Sequence, residues 1–285
     1  MIEKPLKHVL TLVALAAIPT LSHAGTVAYW NFDEGTAGQS FANNSADDLS
    51  GNGNAILGFN TQYAPIYSTS TASGSGLSLE TENGFAPGSL GDGYTGGAPV
   101  NAWSPQQWTI EVTVALDNVG GWKTVLGRDG SSFGGPLSDF YLQRADATNS
   151  WRVDFSTVGN QRVTINSTMA PVAGTYYQLA VTSDGSNARF FVNDLSGNAG
   201  YVESGTAVPL TGDAAQNALA SNGAAWTLGR GWFGGGFVDN INGRIDNVRF
   251  SDTALSSSEF LAVPEPSSAL IGGLGLLCIL RRRRA

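Results

Sequence analysis

Both histidines of this 285-residue chain, His8 and His23, and its one cysteine, Cys278, lie close to the two ends. The long middle carries carboxylates, hydroxyls, amides and aromatic rings, but no imidazole and no thiol. Such a segment has no Ser-His-Asp or Cys-His catalysis, no zinc site on nitrogen or sulfur, and no disulfide. A metal bound there has to be a hard cation on oxygen ligands, with calcium the first candidate. Carboxylate chemistry stays open, since cleaving a glycosidic bond takes two carboxyl groups, about 5–5.5 Å apart for retention and farther for inversion. Glu111 and Asp117 share one strand face by even spacing, although Asp117 falls where a turn is expected and Thr113 and Ala115 lie between them. Aromatic rings offer a second chemistry, stacking on apolar sugar faces beside polar groups that take the hydroxyls. Trp103, Trp122, Trp232, Phe233, Tyr141 and Asp129 lie in or near loops able to present both kinds of group. The sharpest case is Gly231-Trp232-Phe233-Gly234-Gly235-Gly236, two bulky rings on a loop flanked by glycine. The competing reading is that such rings pack over an edge of the core.

The elements that must position these groups are strands. Glycine is abundant, and no long stretch has helical periodicity. About a dozen segments read as strands, from Thr26–Phe32 to Gly243–Phe250. In Trp108–Leu116, Ile110, Val112, Val114 and Leu116 alternate with Thr109, Glu111, Thr113 and Ala115, the period of a half-buried strand. Trp151, Val153 and Phe155 alternate with Arg152, Asp154 and Ser156 in the same way. Ser183-Asp184-Gly185-Ser186-Asn187 predicts a hairpin between two such strands, so pairing is antiparallel. Many strands, each apolar on one side, must pack as two facing sheets. One short helix is expected from about Ser256 to Leu261, because Ser256 and Glu259 have capping-box spacing. Ser68–Gly76 and Gly84–Gly97 read as long surface loops.

The ends carry addresses. Lys4 and Lys7, the apolar stretch Val9–Ile18, Pro19 and the triplet Ser22-His23-Ala24 form a secretory signal peptide over residues 1–24, cut by signal peptidase after Ala24. At the other end, Val263-Pro264-Glu265-Pro266 precedes the apolar run Ala269–Leu280 and the block Arg281, Arg282, Arg283, Arg284. Twelve helical residues span roughly 18 Å, short of a ~30 Å hydrocarbon core, so residues 263–285 make a poor permanent anchor. This layout resembles the PEP-CTERM sorting signal of Gram-negative bacteria. The resemblance implies transient insertion in the inner membrane, removal of the tail by an exosortase, and delivery to the cell surface or an extracellular, exopolysaccharide-containing matrix. Taking six of the 15 basic residues and two of the 23 acidic ones away with the ends leaves 9 against 21, a net charge of −12 over residues 25–262. That balance offers nucleic acid no electrostatic footprint.

Two distant segments share a further pattern. They are Tyr29-Trp30-Asn31-Phe32-Asp33-Glu34-Gly35, followed by Asp48-Leu49-Ser50-Gly51-Asn52-Gly53-Asn54, and Gly243-Arg244-Ile245-Asp246-Asn247-Val248-Arg249-Phe250. With Trp108-Thr109-Ile110-Glu111 and Tyr176–Val181 between them, residues 25–262 resemble the laminin G-like, concanavalin A-like jelly-roll family. The resemblance implies an all-β sandwich of two antiparallel sheets whose first and last strands lie side by side. The alternation slips between Ile245 and Val248, which predicts a bulge at Asp246-Asn247. Related domains often hold a structural calcium near this junction, which implies Asp246 as a ligand with Asp33, Asp48 and backbone oxygen near Asn52 or Asn54 as partners. The alternative is that Asp246 binds backbone N–H groups at the bulge and Asp48 caps an Asx-turn. The glucanases of this family carry a compact Glu-x-Asp-x-x-Glu motif, which this chain lacks.

The reading favoured by these residues is an exported, non-catalytic, lectin-like domain that binds exopolysaccharide or a surface protein. Trp232, Phe233, Trp122, Asp129 and Tyr141 are its candidate ligand-binding residues. A matrix or adhesion module without glycan binding stands beside it, and a glycoside hydrolase behind both.

Overall fold

The structure, a computed structural model, describes residues 25–41, 45–58, 64–82, 90–197 and 199–262. The expected signal peptide and the sorting tail with its apolar helix lie outside the described residues. The strands are β1 (Thr26–Trp30), β2 (Ser45–Ala46), β3 (Ile56–Gly58), β4 (Ile66–Ser68), β5 (Ser78–Thr81), β6 (Gly93–Tyr94) and β7 (Trp108–Leu116). Then come β8 (Lys123–Arg128), β9 (Phe140–Ala145), β10 (Ser150–Ser156), β11 (Arg162–Asn166), β12 (Tyr176–Ser183) and β13 (Asn187–Asp194). The last six are β14 (Val202–Glu203), β15 (Val208–Pro209), β16 (Trp226–Leu228), β17 (Gly231–Phe233), β18 (Gly236–Val238) and β19 (Gly243–Ser251).

The first sheet runs β14-β13-β12-β7-β19-β5-β4, with β1 added on β19 and β15 on β13. The second runs β11-β10-β9-β8-β16-β6-β3-β2, and β17 and β18 form a separate hairpin. This is the expected antiparallel sandwich, with its first and last strands paired. The bulge is also where expected, the β19–β7 register shifting between Ile245 and Val248. Its position has a reason in the topology. Gly243, Arg244 and Ile245 pair β5 on the other side, whereas Val248 to Ser251 pair β1. The bulge therefore sits where β19 exchanges one neighbour for another.

Between the sheets runs a seam of aromatic rings. Trp108 of β7 meets Phe155 of β10 edge-on at 5.2 Å, and Trp226 of β16 meets Phe250 of β19 at 4.7 Å. Phe140 packs on Trp226 at 5.1 Å, and Trp30 on Phe250 at 5.7 Å. All six rings are fully buried. Trp103 stacks on Phe250 at 5.5 Å as a flanking member of this core.

Three expectations change. Every residue of β7 is buried, including Thr109, Glu111 and Thr113, so the strand has no solvent face. The chain after β19 folds back over it. Glu111 accepts hydrogen bonds from Arg249 Nε at 2.6 Å and Leu261 N at 2.6 Å, while Gln178 donates to the Leu261 carbonyl. Burial pushes the Glu111 carboxyl up in pKa, with Arg249 pulling against it. Second, Ser256–Leu261 is a single turn and not a helix. Its capping contacts do form, Ser256 N donating to Glu259 Oε2 at 2.9 Å, but Leu255 and Phe260 pack on Ala180 of the sheet before a second helical turn can grow. Third, the segment Gly84–Gly97 is not all loop: Gly93–Tyr94 is a strand between β16 and β3, with Asp92 and Gly93 buried.

Phe250 touches Trp30, Trp103 and Trp226 at once. Phe250→Ala should lower the unfolding free energy by about 3–5 kcal/mol, as buried aromatic truncations do. Urea denaturation of the two proteins checks this, and a loss below about 1 kcal/mol would show that the seam does not carry the fold.

Candidate functional site

Period-two alternation puts Phe140 and Leu142 of β9 and Trp151, Val153 and Phe155 of β10 in the core. Tyr141, Gln143, Arg152 and Asp154 are thereby sent to the outer face of the second sheet. The β9–β10 register sets Gln143 opposite Arg152 and Tyr141 opposite Asp154, two successive rungs of one surface.

The hairpin β17–β18 arches over this surface. Gly234 and Gly235, at φ 59° and 92°, supply the left-handed turn that a two-residue hairpin needs. Its root lies so close to β8 that a Cβ at Gly231 would stand 2.7 Å from Thr124 Oγ1, and one at Gly127 2.8 Å from the Arg230 carbonyl. Only glycine permits that approach. Arg230, fully buried just before the hairpin, is held by Asp92 at 2.8 Å and by both oxygens of Asp129 at 2.5 and 2.9 Å. Burial pushes the Asp92 carboxyl up to about 6 against the pull of Arg230. Higher up the hairpin, the Tyr141 hydroxyl donates to the Trp232 carbonyl and accepts from Ser138 N at 2.8 Å.

Under the hairpin lies a cleft of about 330 Å³, lined by Trp122, Leu137, Tyr141, Gln143, Arg152, Asp154, Phe233, Val238 and Asp239. This volume is at the lower end for small-ligand pockets. The Arg152 guanidinium lies over the Trp122 ring at 5.6 Å and that of Arg162 over Tyr141 at 5.5 Å. Asp154 is locked between them: it accepts from Arg152 Nη2 at 2.5 Å, pairs with Arg162, and accepts from Thr164 Oγ1 at 3.2 Å. Asp239, in the left-handed region at φ 58°, faces the cleft with its carboxyl pKa raised by burial against the pull of Lys123. Phe133, Leu137, Phe233 and Phe237 are all exposed apolar side chains.

The structure thus brings together Trp122, Tyr141 and Phe233 of the sequence candidates. It does not bring in Asp129, which is committed to Arg230, or Trp232, whose carbonyl rather than its ring serves the site. The glycine-flanked segment is no free loop but the tip of a hairpin. Gln143, Arg152, Asp154 and Asp239 were missed. The first three were visible only as the polar side of two strands, and pairing them needs the register.

The candidate cation ligands fall into two groups. Asp48 Oδ1 accepts from Tyr29 N at 3.0 Å and Ser50 N at 2.9 Å, and Oδ2 from Asn54 N at 3.0 Å and Asn54 Nδ2 at 2.8 Å. Burial opposes its charge, but the Ser50 side chain and these donors outweigh it and hold its pKa below the ordinary value. These donors make Asp48 the centre of an Asx-turn. Asn52 Nδ2 donates to the carbonyls of Thr26 and Val27, while the Asn54 carbonyl accepts from Trp30 Nε1 at 2.7 Å and Asn54 Oδ1 from Val100 N at 2.8 Å. Asp33 and Asp246 are the second group. Asp246 accepts from Ala72 N at 3.1 Å and Asn247 Nδ2 at 3.0 Å, Asp33 from Leu77 N at 2.7 Å and Asn31 Nδ2 at 2.8 Å, one donor to each oxygen among the described residues. Burial and then the nearby Asp33 push the Asp246 carboxyl up to about 6. Among the described residues no three His, Cys, Asp or Glu side chains gather as a metal site.

The carboxylates Glu111 and Asp117 are committed to different partners. Glu111 is buried on Arg249, and Asp117 is paired with Arg244.

A comparison with curated protein sequences finds no match. Among solved structures, the chain is similar to domain 4 of AbnA, a GH43 extracellular arabinanase from Geobacillus stearothermophilus in complex with arabinotriose. That likeness has a TM-score of 0.53 and 16% identity over 83% of this chain and 96% of that one. It is also similar to the binding domain of Paraclostridial Mosquitocidal Protein 1, with a TM-score of 0.56 and 10% identity over 82% of this chain and 50% of that one. The binding domain of Botulinum Neurotoxin DC in complex with SialylT gives a TM-score of 0.51 and 10% identity over 82% and 49%. At these identities the likeness is one of fold. The PEP-CTERM protein-sorting motif matches residues 262–284, which marks the protein for export through a membrane-associated step. The profile of the concanavalin A-like lectin/glucanases superfamily, laminin G type, matches residues 90–260. With more than half its length matched in this way, and with the sandwich to go with it, the chain belongs to the concanavalin A-like lectin/glucanases superfamily.

Proposed function

We propose that this is a non-catalytic glycan-binding protein of the bacterial exterior, with the cleft beneath the β17–β18 hairpin as its ligand site. One observation carries the reading: Trp122, Tyr141 and Phe233 converge with Gln143, Arg152, Asp154 and Asp239 in one cleft. Rings for the apolar face of a sugar beside donors and acceptors for its hydroxyls are what such recognition requires. The complexes with arabinotriose and SialylT formed by two similarly folded domains agree with it. Hydrolysis is disfavoured because both Asp154 oxygens are engaged by Arg152, Arg162 and Thr164, which leaves Asp239 without a second free carboxyl in the cleft. In this reading an exosortase removes the tail, and the domain acts at the cell surface or in an exopolysaccharide matrix.

A second reading, a matrix or adhesion module that docks another protein, is favoured by the exposed side chains Phe133, Leu137, Phe233 and Phe237. A glycan array probed with the processed, exported protein separates the two. Glycan binding that falls about tenfold or more in Trp122→Ala, in a protein that still melts normally, supports the cleft reading. No binding to any glycan sinks it.

Structural calcium is proposed only at Asp33 and Asp246, completed by backbone carbonyls and water, since calcium takes six to eight oxygens. The Asp246 pKa sets the sign of the test. Because its folded value is raised to about 6, its burial costs stability increasingly as pH rises from about 4 to 6. Without calcium, Asp246→Asn should therefore be more stable than wild type at pH 7.5, by about 1–3 kcal/mol. Calcium should raise the melting temperature of wild type and leave that of the variant unchanged. Identical responses to calcium and chelator in both proteins would remove calcium from this junction.

A further inference from the structure

The cations of residues 25–262 are few and unevenly placed. Of the 9 Lys and Arg residues against 21 Asp and Glu, Arg128 and Arg230 are buried in the framework. Arg144, Arg189, Arg244 and Arg249 pair with Asp146, Glu203, Asp117 and Glu111. The other three, Lys123, Arg152 and Arg162, come from β8, β10 and β11 of the second sheet, around the cleft. They face two carboxylates, Asp154 and Asp239. The lining itself holds Arg152 against Asp154 and Asp239, and with Lys123 and Arg162 beside them three cations surround these two carboxylates in a domain whose sum is −12.

Its hydrogen-bonding groups are unequal in the same direction. Asp154 holds Arg152 through Nη2, and among the described residues Arg152 Nη1 meets no acceptor. Opposite it in register, Gln143 Oε1 accepts from the Thr124 hydroxyl at 3.2 Å, which leaves the Gln143 Nε2 amide as a second donor without an acceptor among the described residues. Residues opposite each other on one sheet face have Cβ atoms about 4.5–5.5 Å apart. Two neighbouring donors, one of them charged, match the two oxygens of a carboxylate.

We infer that the cleft selects acidic sugars, with a sugar carboxylate held by Arg152 Nη1 and Gln143 Nε2; this rests on the cleft being the glycan site proposed above. Trp122 then offers the ring for the apolar sugar face, Asp239 accepts from a hydroxyl, and Asp154 is a positioning residue that keeps the guanidinium aimed. The specificity is a difference in affinity, since a neutral sugar offers Arg152 Nη1 no charged acceptor.

The test uses the processed, exported protein with polygalacturonate, alginate and hyaluronate, each beside the same polymer with its carboxyl groups reduced to alcohols. Calorimetry at one ionic strength should show at least one acidic polymer binding about tenfold or more tighter than its reduced form. Arg152→Gln should weaken the acidic polymer far more than its reduced form, bringing the ratio of the two affinities to about twofold or less. Gln143→Leu, which keeps every charge, should weaken the acidic polymer about fivefold. Arg189→Gln, on the other sheet, should change neither. Equal binding of acidic and reduced polymers, or binding of neutral glycans alone, overturns the acidic-sugar assignment while the cleft reading stands. Binding of no glycan at all overturns both.

Discussion

Contact between aromatic rings of the two sheets is the constraint on which the other features depend. Trp108 against Phe155 and Trp226 against Phe250 join strands that share no hydrogen bond, and the rings are wholly buried. Each such ring buries about 150–250 Å², the largest apolar contribution any side chain makes. Because neighbouring residues on a strand point to opposite sides, fixing the rings inward also fixes which side chains face outward. A slip of one residue in β9 or β10 would exchange Tyr141, Gln143, Arg152 and Asp154 for the core.

The two outer faces are finished differently. On the first sheet, the chain after β19 returns over β7 and β12, where Glu111 receives Arg249 and Leu261 while Gln178 and the Tyr201 hydroxyl donate to the Leu261 carbonyl. Over β7 and β12 that face is closed, and the polar residues there serve the fold. On the second sheet, the β17–β18 hairpin covers β8 and leaves a cleft over β9 and β10. It is held off the sheet by its ends: two glycines permit contact at the root, the buried Arg230 fixes its entry between Asp92 and Asp129, and Tyr141 ties down its first strand. The charge of Arg230 is satisfied inside the protein. It supports the cleft without facing a ligand.

The junction of first and last strands is held by residues whose types alone would suit a cation site. Asp48, Ser50, Asn52 and Asn54 look like a chelating turn because they are rich in oxygen, yet in the fold they satisfy backbone groups of β1 and the segment before β7. The bulge at Asp246-Asn247 is needed where β19 changes partners from β5 to β1, and it leaves Asp246 beside Asp33.

Much of this molecule is local and so legible in its residues. Alternation in Trp108–Leu116, Trp151–Thr157 and Tyr176–Thr182 reveals strands, Asp184-Gly185 a hairpin, and the break between Ile245 and Val248 a bulge, because each depends on neighbours within a few residues. The two-residue strands Ser45–Ala46 and Gly93–Tyr94 carry no periodicity, and they form only because longer strands lie beside them. The site divides in the same way. Trp122, Tyr141 and Phe233 could be suspected from residue type and setting, whereas Gln143, Arg152, Asp154 and Asp239 could not. By itself the sequence determined the all-β class, the exported character, and a chemistry without imidazole or thiol in the domain, since composition and local pattern suffice for these. Only the tertiary structure decided which polar strand faces were closed and which became a cleft, because that depends on strand order, register and a hairpin nearly a hundred residues away.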